Sequence, residues 1–233
     1  MKVLKNLSDR KNMYRIEAAR VSYLICESSY NELRNLLTEF EDRAPSFSDA
    51  IVALRLVWEF VDFAFRFLSV INQIKGLKHK EQAYQLAQDS KNNITKARNF
   101  FQHLNTSIPI AGDYIYPIAG AIVWPSRDRT KSYILSAGTI PNGTFLHSHK
   151  YDQQEQKYLD EVILNFDTFS VDIQDSYIKL SGAQKYLDEW LDEKNCLDDK
   201  DLDPTYLTFS SLGGLGAKRY LRVQAKVFQE TNK

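Results

Sequence analysis

Residues 51–74 read IVALRLVWEFVDFAFRFLSVINQI, and this run decides what kind of chain surrounds it. It has the length and much of the apolarity of a membrane span. Arg55, Glu59, Asp62 and Arg66 interrupt it, and those charges argue for a helix with one buried face instead. Ile51, Leu54, Trp58, Val61, Phe65 and Leu68 recur at steps of three and four and supply that face.

The segments on either side fit the same plan. Upstream, Ile16, Ala19, Tyr23, Cys26, Tyr30, Leu33, Leu37 and Phe40 form one continuous apolar stripe. Ala44-Pro45 closes that helix, because a proline pushes the preceding residue out of helical geometry. Ser46 or Ser48 can cap the next helix by accepting an orphan amide hydrogen. Downstream, Lys75-Gly76 is a stop signal, since glycine tolerates the left-handed cap. A third helix is predicted over 79–105, with Ala83, Leu86, Ile94, Ala97, Phe101 and Leu104 on one side. Three long helices joined by short connections pack antiparallel.

After Pro109 the texture changes. Residues 121–124, 132–137, 144–149 and 161–173 are β-prone, separated by turn signals such as Pro125-Ser126 and Pro141-Asn142-Gly143. A short helix is predicted over 182–194, with Tyr186, Leu187, Trp190 and Leu191 inward. Two last β-prone runs, 206–210 and 219–228, follow an acidic stretch and Pro204. Helices first and strands later define an α+β protein. The expected division is a helical bundle over 1–108 and a β-rich segment with one short helix over 109–233, packed on the bundle.

One stretch of the third helix carries chemistry: Arg98-Asn99-Phe100-Phe101-Gln102-His103. With four histidines in the chain, an Arg a few residues before a His means little alone. Asn directly after the Arg, and a place near the end of a bundle helix, make the pattern specific enough to use. Cleaving RNA without a metal needs a base for the 2′-hydroxyl proton, an acid for the leaving oxygen and a cation for charge growing at phosphorus. Histidine can fill either proton role near neutral pH, and arginine grips phosphate oxygens with a planar fork. On an ideal helix Asn99 and His103 share a face, while Arg98 is rotated by about 140° from His103. Arg98 must therefore reach round, or the helix must loosen.

The Arg-Asn-x-x-x-His pattern on a bundle helix resembles that of the HEPN superfamily, and the resemblance covers residues 10–108. It implies a metal-independent endoribonuclease with Arg98, Asn99 and His103 as catalytic residues and no cofactor. In that scheme His103 handles the proton, Arg98 steadies the phosphate and Asn99 orients the pair. Glu59, Asp62 and Arg66, polar within the apolar run, are the candidates to support them from the second helix; the plainer reading makes them a solvated or dimer-facing strip. The resemblance further implies a homodimer with a composite site, an RNA substrate, and a role as a toxin or defence effector with an antitoxin partner. The alternative is a non-catalytic module of the same kind that binds a protein or small ligand.

Bulk properties are compatible with this. Lys plus Arg equals Asp plus Glu at 30 each, so RNA must be captured by a local patch rather than a global field. With 43% hydrophobic residues the chain is neither disordered nor fibrous. Cys26 and Cys196 lack any C-x-x-C spacing, and the polar N-terminus lacks a signal-peptide run, so a reducing, cytoplasmic setting with no membrane contact is expected. Three other features carry less. His147 and His149 share a strand face with Asp152 and Glu155 close by, yet no third metal ligand is evident. Gly213-Gly214-Leu215-Gly216-Ala217-Lys218 lacks the spacing of a phosphate loop. Trp124 and its neighbouring tyrosines fit a strand core better than a base-stacking surface.

Overall fold

The computed structural model describes residues 3–4, 9–78, 80–103, 117, 119–137, 150–166 and 169–198. Strand β1 (Val3–Leu4) precedes α1 (Arg10–Glu39), α2 (Phe47–Ile71), α3 (Gln82–Asp89) and α4 (Lys91–Gln102). Then come β2 (Ala121–Pro125), β3 (Ser132–Ser136), β4 (Tyr151–Asp152), β5 (Lys157–Tyr158), β6 (Ile163–Asn165) and β7 (Ser170–Asp172). Helix α5 (Ile173–Glu193) and β8 (Leu197–Asp198) complete the described chain. The protein is α+β: helices come mainly first, and a small antiparallel sheet follows.

Helices α1 and α2 form the central pair. Tyr23 meets Phe67 and Tyr30 meets Phe60, so positions rise along one helix as they fall along the other. Ile16, Cys26, Leu33, Val57, Phe60, Ala64 and Phe67 are fully buried between the elements of the core. Asp9 caps α1 by accepting from the Lys11 and Asn12 amides. Asn12 and Lys75 exchange two hydrogen bonds, which ties the start of α1 to the loop after α2. At the other end Ser46 and Asp49 form a reciprocal capping box on α2. Arg43 grips the same Asp49 carboxylate at 2.6 and 3.1 Å.

Several sequence expectations shift in detail. Helix α1 ends at Glu39, before Ala44-Pro45 is reached. Gly76 does adopt positive φ, 86°, but in the loop beyond α2. The expected third helix is two short ones, with Ser90 between them. In α3 the buried positions are Tyr84 and Ala87, while Leu86 is 41% exposed. Gly182 of α5 faces Ala83 on α3, where an added Cβ would stand 3.9 Å from the Ala83 Cβ. Helix α5 itself begins at Ile173, well before the expected start at Gly182.

In the four-stranded antiparallel sheet the order is β3-β2-β6-β7. Its central strand β2 is buried along its whole length, with Ile122 opposite both Leu135 and Leu164. Gly120, just before β2, has φ 79°, and a Cβ there would stand 2.9 Å from the Asn165 carbonyl oxygen. Only glycine lets the two backbones approach so closely. The sheet docks on the helices through Phe166, whose ring meets Trp58 and Phe100, and through Trp124 on Phe40. Arg127, between β2 and β3, reaches the end of α1, donating from its amide to Glu41 and from its side chain to the Thr38 carbonyl.

One apolar core runs through helices and sheet alike, across residue 108. Helix α5 lies antiparallel to α1 along a polar seam: Arg20 pairs with Asp188 at 3.2 Å, Tyr23 meets Ser181 at 3.0 Å, and Tyr30 stacks on Tyr177. Strands β1 and β8 pair antiparallel. No described helix is long and apolar enough to cross a membrane. The strands expected over 144–149, 206–210 and 219–228 lie outside the described residues, as do the glycine run at 213–218, His147 and His149.

Candidate functional site

The Arg-Asn-x-x-x-His stretch forms the last turns of α4. Ile94 and Ala97 are fully buried against the core, and this anchors one face of the helix. Arg98, the next residue, is thereby set at the edge of that face, beside α2. Its side chain is 22% exposed, and its Nε–H donates to Asp62 Oδ1 at 3.1 Å. The guanidinium also lies 4.2 Å from the centroid of the Phe65 ring, a cation–π contact. The carboxylate of Asp62 accepts a second arginine through its other oxygen: Arg66 Nε donates to Oδ2 at 2.8 Å. Arg66 in turn sits over the Phe63 ring at 5.4 Å. One carboxylate thus holds two guanidinium groups, from two helices, each beside an aromatic ring.

Of the three acceptor and donor candidates on α2, Asp62 and Arg66 join Arg98. Glu59 does not: it bonds Arg55 one turn earlier on its own helix, at 3.1 Å. Asn99 is exposed, and its main-chain carbonyl accepts the His103 amide hydrogen at 3.0 Å. His103 is the C-cap of α4, exposed, with φ -105° and ψ 24°. Helical φ is near −63°, so rotation about N–Cα turns the imidazole by about 40° from where an ideal helix would carry it.

Aromatic side chains make up the rest of this face. Trp58 stacks on Phe101 with centroids 4.0 Å apart and planes 19° from parallel. Phe101 is 41% exposed, although its spacing assigned it to the core. Pairing of Trp58 with Phe101 and of Asp62 with Arg98 shows that α2 and α4 run antiparallel. His103 therefore lies beyond Phe101, toward the N-terminal half of α2, and Arg66 lies on the other side of Arg98. Behind them Phe166 of the sheet packs on both Trp58 and Phe100, which holds the end of α4 against α2.

Sequence reasoning missed the Trp58–Phe101 stack, the ring under Arg98 and the Phe166 wedge. Trp58 and Phe65 were visible only as members of an apolar stripe, and Phe166 only as a residue of a β-prone run. Among the described residues no group of three or more His, Cys, Asp or Glu side chains could hold a metal ion. No known family model, curated protein or solved structure matches this chain.

Proposed function

We propose that the α2–α4 face is the active site of a metal-independent endoribonuclease of the HEPN type. The observation that carries this reading is Arg98 fixed by Asp62 and Phe65 at the rim of α4, one turn or so from the exposed His103. Arg98 meets Asp62 through its Nε–H, so among the described residues its terminal nitrogens are left for phosphate oxygens. In the reaction the substrate 2′-oxygen attacks phosphorus as its proton passes to an imidazole. The bond to the 5′-oxygen breaks, that oxygen takes a proton from an acid, and a 2′,3′-cyclic phosphate is left. Arg98 neutralises the charge that grows on the phosphoryl oxygens. Asn99 orients the imidazole or the ribose.

A single His103 cannot be base and acid in the same turnover at two positions, and a homodimer would bring a second imidazole to the site. Phe47, Ile51 and Val52, exposed by 72%, 47% and 40%, continue the outward face of α2 past Trp58 and give such a dimer apolar surface to bury. Toxin or defence activity, with an antitoxin as partner, follows from the same reading.

A non-catalytic scaffold is the second reading, and the same Arg98–Asp62 pair favours it, because the pair also serves to pin α4 on α2. Cleavage of labelled RNA in excess EDTA, beside Arg98→Ala and His103→Ala, decides between them. Positioned proton transfer is worth about 10²–10⁴ in rate, so His103→Ala should lose most of the activity. Equal cleavage by all three proteins marks a contaminant, and no cleavage by any of them leaves the scaffold.

A further inference from the structure

We infer that Arg66 is a second phosphodiester-binding side chain, which grips the phosphate next to the one held by Arg98 on a single-stranded RNA laid along α2. This rests on the ribonuclease reading above and adds a direction and a second contact to it. Two features of the geometry carry it.

The first is charge. Asp62 brings one negative charge to two guanidinium groups, so the unit formed by Arg66, Asp62 and Arg98 keeps one cation in excess. Asp62 engages each arginine through Nε alone, at 2.8 and 3.1 Å, rather than through the two-nitrogen fork that a pair built for stability would use. Among the described residues, the outer edges of both guanidinium groups are left to an external ligand. A phosphodiester supplies both the missing negative charge and the paired oxygens that match such an edge.

The second is alignment. Arg66 is 54% exposed and Arg98 22%, and the rings of Phe63 and Phe65 hold the two groups in place. Because α4 runs antiparallel to α2, the order along the α2 axis is His103, Arg98, Arg66. A strand following that line presents its reacting phosphate between His103 and Arg98, and its neighbour to Arg66. Phe101, exposed and stacked on Trp58, stands at the His103 end of the same line, where a nucleobase can lie on it.

The test uses the whole chain and a fluorescent single-stranded RNA with every ribose 2′-O-methylated, which binds and cannot be cleaved. Arg66→Gln is expected to weaken binding by about tenfold, and to lower the slope of log K against log salt by about 0.7, one contact on a single strand. Arg66→Lys should restore the slope and only part of the affinity, since a point charge replaces a fork. On unmethylated RNA, Arg66→Gln should raise KM with kcat largely kept, whereas Arg98→Gln should lose kcat. An unchanged thermal midpoint for Arg66→Gln shows that the fold is intact. If the wild type cleaves and Arg66→Gln matches its affinity, slope and KM, Arg66 is only a partner of Asp62: the inference falls and the ribonuclease stands. If the wild type binds with the expected Arg66 dependence yet never cleaves, the clamp stands and the nuclease falls. If the wild type does not bind the strand at all, both fall.

Discussion

Helix α2 meets α1 along one side and α4 along the other, and the two seams are built from different chemistry. Toward α1 it presents Val57, Phe60, Ala64 and Phe67, all fully buried, and the Cys26 thiol donates to the Phe60 carbonyl there. Toward α4 it presents Trp58, Asp62 and Phe65, and two of these three touch Arg98. The first seam is held by the removal of apolar area from water and tolerates no loss of volume. The second is partly exposed, with Arg98 and Asp62 at 22% and 30%, and an ion pair of that kind adds only modestly to stability. The proposed RNA-binding face lies on the second kind of seam.

Substitutions along α2 can break or sharpen this contrast. Phe60→Ala empties the apolar seam, and about 3–5 kcal/mol of unfolding free energy should be lost in a urea titration. A cost below about 1 kcal/mol there would mean that the two seams do not differ as described. Ser46→Ala removes the capping box that starts α2, and the same titration should show a loss of about 1 kcal/mol. Asp62→Asn acts on the α4 seam, and its stability cost should stay under about 1 kcal/mol because the pair is partly exposed. Its RNA cleavage should nonetheless drop clearly, since Arg98 loses the group that fixes it. A variant that loses stability and activity in step would place Asp62 with the core instead.

The smallest effect is acidic. Hydrogen bonds from Arg43 and from the Ser46 amide and hydroxyl hold the Asp49 carboxyl well below the usual carboxylate range. In the β2–β3 turn, Ser126 and Thr130 lower Asp128 to about 2. Groups depressed in the folded state stabilise it above their unfolded value and lose that contribution as pH falls toward the folded one. The urea midpoint should therefore hold down to about pH 4 and decline below it. The decline should be shallower in Asp49→Asn than in the wild type. An identical decline in both proteins would remove Asp49 from the acid response.

The apolar seam is legible in the amino-acid order alone, because a helix with one buried face writes its period into the sequence. The stripe from Ile16 to Phe40 and the run from Leu54 to Leu68 give the two long helices, and Ser46 gives the start of the second. The α4 seam is legible only as a set of residue types. Arg98, His103, Asp62 and Arg66 stand out as charges, but nothing in spacing says that one carboxylate serves two arginines on different helices. Phe101 misleads for a related reason: an aromatic at helical spacing counts as core unless something else covers that face first. Here the helix ends one residue later at Gln102, and Phe101, stacked on Trp58, stays 41% exposed.

By itself the sequence determined the helix periods, the caps, the β-prone texture after residue 109 and the α+β order, because these depend on contacts between near neighbours or on one repeating face. Tertiary structure alone decided which neighbours the faces meet. It set α3 beside α5, placed Phe166 under Trp58 and Phe100, and brought Arg98 to the Asp62 carboxylate that Arg66 also holds. The Arg66–Asp62 pair is one turn of a single helix and local. The contacts of Arg98 with Asp62 and of Phe166 with Trp58 and Phe100 join residues tens of positions apart, and no local propensity encodes them.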